Sequence, residues 1–124
     1  MKQKYRVFIC HFSHSYRSAL GNILSQFQNA IEVVGECQEY PCLFEWLEND
    51  IEQNTDCVLL GLPRRINYEE KLLTKLTKDF PHVNFVLMSP FEIDYLKDYY
   101  KQIGVRHQFT AENEPDDLLN YILN

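Results

Sequence analysis

The chain contains 124 residues, of which 45% are hydrophobic and 14% aromatic, and its formal net charge at pH 7 is −6. This length and apolar content favour a single domain over residues 1–124 with one ordinary core, and they argue against a disordered chain. The acidic balance and the lack of a long basic stripe argue against direct contact with nucleic acid.

Apolar β-prone runs alternate with amphipathic helical patterns from the start of the chain. Continuous apolar runs such as YRVFIC are typical of strands covered on both faces, and apolar residues at intervals of three and four predict helices that bury one face. The first half yields a strand over 5–10, a helix over 15–29, a strand over 31–37, a helix over 41–53 and a strand over 56–60. Ser13 or Ser15 can cap the first helix, and Leu43, Leu47 and Ile51 share the predicted inner face of the second.

The second half of the chain repeats the same alternation. It yields a helix over 67–80, a strand over 83–88, a helix over 92–104, a strand over 106–110 and a helix over 114–123. Pro81 ends the third helix, and Gly104 closes the fourth. Five strand–helix units with short connections predict an α/β domain, in which helices cover both faces of a parallel sheet through right-handed crossovers.

The N-terminal segment and the cysteines bear on the compartment. The first apolar run stops at His11, which leaves it too short for a signal peptide or a membrane span. The four cysteines form no CxxC motif, and a chain this apolar needs no disulfide framework. We therefore expect a cytoplasmic protein without membrane contact.

Several segments resemble the receiver domain of bacterial response regulators, and the resemblance covers essentially the whole chain. It rests on VFIC followed by YRSALGNIL, on TDCVLLGL, on FPHVNFVLMSP, on IGVRHQFTAENEPDDLLNYI and on IEVVGECQE, which is similar to the second strand of the LuxR-type subclass. The resemblance implies a flavodoxin-like, doubly wound sheet of five parallel strands in the order 2-1-3-4-5, with five helices.

The resemblance also implies a phosphorylation site, but this chain departs from it. A working receiver carries an acceptor aspartate after its third strand, two acidic Mg²⁺ ligands after the first, a hydroxyl after the fourth and a lysine after the fifth. Here Gly61 takes the place of the aspartate, His11 and Phe12 that of the acidic pair, and Ala111 that of the lysine, while Ser89 keeps the hydroxyl. Without a nucleophile and metal carboxylates, we predict a degenerate pocket that forms no acyl phosphate and needs no metal or cofactor.

Two arginines follow the third strand, where the family carries Met-Pro. Arg64 and Arg65 make the altered pocket neutral to positive, and arginine is suited to bidentate contacts with oxyanions. One hypothesis is therefore an anion or small-ligand site. The other, which we favour, is that both arginines are solvated or pair with Glu69 and Glu70 in the next turn.

Cysteines and histidines near the first strand raise a soft-metal hypothesis. Cys10, His11 and His14 are close in sequence, but adjacent strand residues point to opposite faces, so Cys10 and His11 are poorly placed to share an ion. Cys10 and Cys57 are predicted on neighbouring strands, where thiols are more often inert core residues than reactive groups. We expect no metal site.

Aromatic residues mark a candidate interface. Tyr95, Tyr99 and Tyr100 lie on the predicted fourth helix, and Phe109 and Tyr121 follow on the last strand and helix. In receivers this fourth-helix, fifth-strand, fifth-helix face is the usual docking and dimerisation surface, and tyrosines are enriched at protein interfaces. Tyr99 or Tyr100 is expected to join the core. The predicted partner is another protein or a second copy of the chain.

Together these patterns predict a non-enzymatic signalling or regulatory module in two-component-type signalling or transcription regulation. It would act without phosphorylation, through protein–protein contacts or dimerisation. The alternative function is a small-molecule or anion sensor that uses the vacated pocket. A metal- or thiol-dependent enzyme is poorly supported, because neither a nucleophile–base pair nor a Gly-rich phosphate loop is visible in the sequence.

Overall fold

Strands and helices alternate along the described part of the chain. A computed structural model describes residues 4–63, 66–89, 94–110 and 112–124, without the side chains of 66–69 and 94–97. In chain order, the elements are β1 (Tyr5–Cys10), α1 (His14–Leu24), a 3-10 turn (Ser25–Phe27), β2 (Ile31–Cys37), α2 (Tyr40–Asn49), β3 (Cys57–Gly61), α3 (Ile66–Asp79), β4 (Asn84–Met88), α4 (Asp94–Gln102), β5 (His107–Phe109) and α5 (Pro115–Leu123). The first two strands have the predicted bounds.

The described strands form one parallel sheet in the order β2-β1-β3-β4-β5. This is the predicted 2-1-3-4-5 order, and it confirms the flavodoxin-like fold. Cys10, the last residue of β1, lies opposite Cys37 of β2 and Leu60 of β3, and Gly61 lies opposite Met88 of β4. The carboxyl ends of these strands therefore meet at one edge of the sheet, where ligands bind in folds of this kind.

Apolar side chains cover both faces of the sheet, because successive strand residues point to opposite sides. One layer lies under α2, α3 and α4 and includes Phe8, Val58 and Leu60. The other lies under α1 and α5 and includes Cys57 and Leu59. β3 is buried along its whole length, as its apolar sequence predicted. No helix in the described segments is long and apolar enough to cross a membrane.

Local geometry sets the ends of α1 and α4. The Ser13 hydroxyl accepts a hydrogen bond from the backbone N–H of Tyr16 at 3.2 Å, so Ser13 and not Ser15 caps α1. α1 ends at Leu24, and only a 3-10 turn follows, so the predicted extension to residue 29 was wrong. Gly104 has a φ of +106°, a left-handed conformation that favours glycine, and it closes α4 as predicted.

The end of α2 also differs from the prediction. α2 ends at Asn49, and the carboxylate of Asp50 accepts hydrogen bonds from the backbone N–H groups of Asn54 at 3.1 Å and Thr55 at 2.8 Å. This loop leaves Ile51 outside the helix and 86% exposed. The predicted inner position of Ile51 was therefore wrong, because side-chain capping ends the helix before it reaches that residue.

Candidate functional site

The candidate site lies where β1 and β3 end side by side. His11 directly follows β1, and Gly61 is the last residue of β3. The backbone N–H of His11 donates to the carbonyl of Cys37 at 3.0 Å, which extends the β1–β2 pairing by one step. The main chain thus places the His11 side chain beside Gly61.

The imidazole of His11 takes up the space beside Gly61. A Cβ atom added to Gly61 would lie 2.7 Å from Cδ2 of His11 and 3.2 Å from its Cγ, closer than carbon atoms normally approach. The missing side chain of Gly61 therefore makes room for the ring. The two residues form one packed unit at the end of the central strand.

Neighbouring groups hold the His11 ring in place. Its Nδ1 accepts a hydrogen bond from the backbone N–H of Ser13 at 3.0 Å, and the ring stacks on Phe12 and Tyr16 with centroids 4.8 Å and 4.2 Å apart. Burial lowers the pKa of His11 below its ordinary value, and the guanidinium of Arg17 lowers it further. The imidazole is therefore neutral near pH 7, with its proton on Nε2.

Arg17 connects this site to the edge of the sheet. It is only 6% exposed. Its Nε donates to the Glu36 carboxylate at 2.9 Å, and its Nη1 donates to the carbonyl oxygen of His11 at 2.6 Å. Arg17 was not predicted as a site residue, although it lies three and seven residues before Leu20 and Leu24, on the buried stripe of α1. A charged residue on such a stripe is the signal that could have revealed it.

Tyr40 closes the site from the side of α2. Its side chain is buried, and its hydroxyl donates to the carbonyl of Gly61 at 2.8 Å. This bond satisfies a backbone oxygen at the end of β3. Tyr40 was not predicted, because nothing local in the sequence distinguishes it from an ordinary core tyrosine.

The space left between these groups is small. The cavity lined by His11, Phe12, Tyr40 and Gly61 has a volume of only about 20 Å³, and a single water needs roughly 10–15 Å³ measured in this way. The structure brings three of the predicted pocket residues together and leaves space for about one water molecule between them. The sensor hypothesis stays a prediction.

The remaining pocket residues are only partly covered by the structure. Ser89 is buried just after β4, and its backbone N–H donates to the carbonyl of Phe109 at 2.9 Å. Ala111, Arg64 and Arg65 lie outside the described residues, so the anion-site hypothesis stays a prediction. Within the described segments, no group of three or more His, Cys, Asp or Glu side chains could hold a metal ion.

The predicted aromatic interface is less exposed than expected. Tyr100 is 4% exposed and belongs to the core under α4, so its assignment to an interface was wrong. Tyr99 is partly exposed and donates to the Glu70 carboxylate at 3.2 Å. Phe109 and Tyr121 are also partly exposed. The side chain of Tyr95 lies outside the described residues.

Comparison with known proteins identifies the fold but no closer relative. No protein-family model and no curated protein matches the chain. The signal receiver domain of NarL from Mycobacterium tuberculosis superposes with a TM-score of 0.80 at 16% identity, over 98% of this chain and 95% of that one. A chain of the CheX–CheY–BeF3–Mg complex from Borrelia burgdorferi gives 0.80 at 13% identity, over 96% and 87%.

A longer protein also matches. RcsB from Salmonella typhimurium superposes with a TM-score of 0.77 at 14% identity, over 96% of this chain but 57% of its own. The present chain thus spans little more than half of that response regulator. At these identities, the three matches establish that the chain has the receiver fold.

Proposed function

We propose that this chain is a degenerate response-regulator receiver domain over residues 1–124, which signals without being phosphorylated. The observation that carries the proposal is the packing of His11 against Gly61. An aspartate at position 61 would need the space that the imidazole holds, so the two residues are mutually adapted to a pocket without an acceptor. The filled pocket therefore reflects more than the loss of one carboxylate.

The chemistry of the site supports the same proposal. Transfer of a phosphoryl group needs a nucleophile and cationic groups that neutralise the transferred charge. At the ends of β1 and β3, the side chains of His11, Phe12 and Tyr40 offer a neutral imidazole, a phenyl ring and a phenol hydroxyl bonded to Gly61. None of these three groups is a carboxylate that could bind Mg²⁺.

We propose that the output is a contact with another protein or with a second copy of the chain. Tyr99, Phe109 and Tyr121 supply partly exposed aromatic surface on the α4–β5–α5 face, which supports an interface there. One of the structures that this chain resembles is a complex of CheX with CheY, so a protein of this fold occurs bound to a protein partner. By the LuxR-type resemblance, the process would be two-component-type signalling or transcription regulation.

The absence of phosphorylation can be tested by incubating the protein with acetyl phosphate and Mg²⁺. We expect the intact mass to stay unchanged, while a working receiver treated in parallel gains one phosphoryl group. A stable adduct on the wild-type protein would contradict the proposal. The variant Ser89→Ala would then show whether the remaining hydroxyl had been the acceptor.

The interface can be tested separately by light scattering after size exclusion. If the chain self-associates, Tyr99→Ala and Tyr121→Ala should weaken the dimer, because each removes aromatic surface from the proposed face. Val33→Ala is the matched control, since Val33 is 42% exposed on β2 at the opposite edge of the sheet. Equal losses for all three variants would contradict an interface on the α4–β5–α5 face.

A further inference from the structure

Three of the four cysteines converge at the carboxyl ends of β1 and β2. Cys10 and Cys37 are register partners in the parallel ladder, each at the last position of its strand. Cys42 follows in the first turn of α2. Cys10 is buried, whereas Cys37 and Cys42 are partly exposed. The sequence does not reveal this cluster, because Cys10 is 27 positions before Cys37 and only strand pairing brings them together.

The thiols of Cys37 and Cys42 share one hydrogen-bond acceptor. Both donate to the carbonyl oxygen of Glu39, at 3.4 Å and 2.9 Å respectively. Hydrogen bonding with Cys10, followed by burial, raises the pKa of Cys37 far above its ordinary value. Burial, followed by hydrogen bonding with Cys37, raises the pKa of Cys42. The two sulfur atoms are therefore close neighbours, and both are held as protonated thiols near neutral pH.

Both thiols are also open to reagents from outside. An open cavity of about 580 Å³ is lined by Cys37 and Cys42 together with Glu39 and Pro41. A second, of about 310 Å³, reaches the same two cysteines from the side of Trp46. A small disulfide can thus approach these two sulfur atoms, while Cys10 is only 1% exposed.

We propose that Cys37 and Cys42 form a redox-active dithiol, which a low-molecular-weight disulfide oxidises to an intramolecular disulfide bond. This inference is independent of the proposed signalling function. The Cys42 thiolate attacks one sulfur of the small disulfide, whose S–S bond breaks and releases one thiol. Cys37, deprotonated in turn, attacks the Cys42 sulfur, and the second small thiol leaves. Two protein thiols are oxidised, the small disulfide is reduced to two thiols, and the protein's two thiol protons end on them.

The order of attack and the pH dependence follow from the surroundings of the thiols. Cys42 is less buried than Cys37, so a small disulfide reaches the Cys42 sulfur first. Because the thiolate is the attacking species, the rate should rise by about tenfold per pH unit while both thiols are mainly protonated.

The experiment treats the reduced 124-residue chain with oxidised glutathione at about pH 9, near the ordinary thiol pKa. We expect the intact mass to fall by two hydrogen atoms, peptide mapping to link Cys37 to Cys42, and a reductant to reverse both. The variant Cys37→Ser should instead stop with one glutathione on Cys42. Cys57 is the internal control, since it is fully buried in the layer under α1 and α5.

Three outcomes would overturn the proposal. The folded wild-type protein could stay unmodified, or it could keep glutathione as a stable adduct, which would show that the two sulfur atoms do not reach each other. Mapping could also place the bond between Cys10 and Cys37, which would assign the dithiol to the strand ends instead. Circular dichroism of each treated sample checks that the reaction took place in the folded state.

Discussion

The middle of β3 and its last residue are both buried, but different kinds of packing bury them. Leu59 and Leu60 are completely inaccessible between layers of apolar side chains from several helices. Gly61 is covered by one imidazole and one tyrosine hydroxyl. In the middle of β3, many apolar side chains each contribute a small amount of dispersion energy. The burial of Gly61 depends instead on a few specific contacts.

This difference separates the packing that holds the sheet together from the packing at the strand end. Burial in the middle of β3 does not depend on which groups stand at the end of the strand. At the strand end, in contrast, the backbone N–H and C=O groups need hydrogen-bond partners from outside the sheet. The groups that supply these bonds must therefore fit one another. His11, Arg17 and Tyr40 meet that requirement here.

The largest effect is expected in the middle of the strand. Leu59→Ala should lower the free energy of unfolding by about 2–5 kcal/mol, since it removes a fully buried side chain and leaves a cavity. Urea denaturation measures the change. Val33→Ala, on a residue 42% exposed, should stay within about 0.5 kcal/mol of wild type. Similar losses of unfolding free energy for the two variants would contradict the expected difference between buried and exposed positions.

The next effect tests the unit formed by Gly61 and His11. Gly61→Ala should cost about 1–3 kcal/mol in unfolding free energy, because its Cβ would overlap the imidazole. In a His11→Ala background, the same change should cost clearly less. A double-mutant cycle measures this coupling, with an expected size of about 1 kcal/mol or more. Additive effects would show that the His11 ring is not the reason why a side chain at position 61 is destabilising.

A smaller effect is expected for the hydroxyl that closes the site. Tyr40→Phe keeps the buried ring but removes the hydrogen bond to the carbonyl of Gly61. The loss should be about 1 kcal/mol, the usual net value for one such bond. Thermal unfolding gives the measurement, and near-UV circular dichroism controls for rearrangement of the aromatic rings. An unchanged stability would mean that water replaces the hydroxyl without cost.

The smallest effect concerns pH. The pKa of His11 is lowered in the folded state, so the unfolded chain binds a proton first as pH falls below about 6.5. Stability should therefore decrease from pH 7 towards pH 5 and level off below the folded pKa. His107 has a lowered pKa too and acts in the same window. His11→Gln and His107→Gln should each flatten the curve in part, whereas an unchanged slope in His11→Gln would contradict a neutral imidazole with a lowered pKa at position 11.

The α/β class and the core could be predicted because they depend on local patterns, whereas the strand order was predicted only from the resemblance to receiver domains. The apolar runs specify strands, the helical spacing specifies which face is buried, and the alternation requires parallel pairing. Prediction was weaker at helix ends. Asp50 ends α2 through bonds to Asn54 and Thr55, which are four and five residues away, and these bonds left Ile51 in solvent.

The sequence indicated where the site lies, but it did not show which side chains contact one another there. Alignment with the receiver pattern placed His11, Phe12 and Gly61 at the strand ends, and the structure brings these three together. Nothing in the linear order shows that the imidazole lies over the glycine. Tyr40 was missed because its partner is a backbone carbonyl of another segment, whereas Arg17 was missed although its place on the buried stripe of α1 is visible in the sequence.

By itself, the sequence determined a five-stranded α/β scaffold and a glycine at the end of the third strand, since both follow from residue type and spacing. Only the tertiary structure decided what fills the pocket, which tyrosine of α4 is buried and which cysteines meet. The physical reason is that these outcomes depend on contacts between residues far apart in the chain. Such contacts are set by strand register and helix packing, and no local periodicity encodes them.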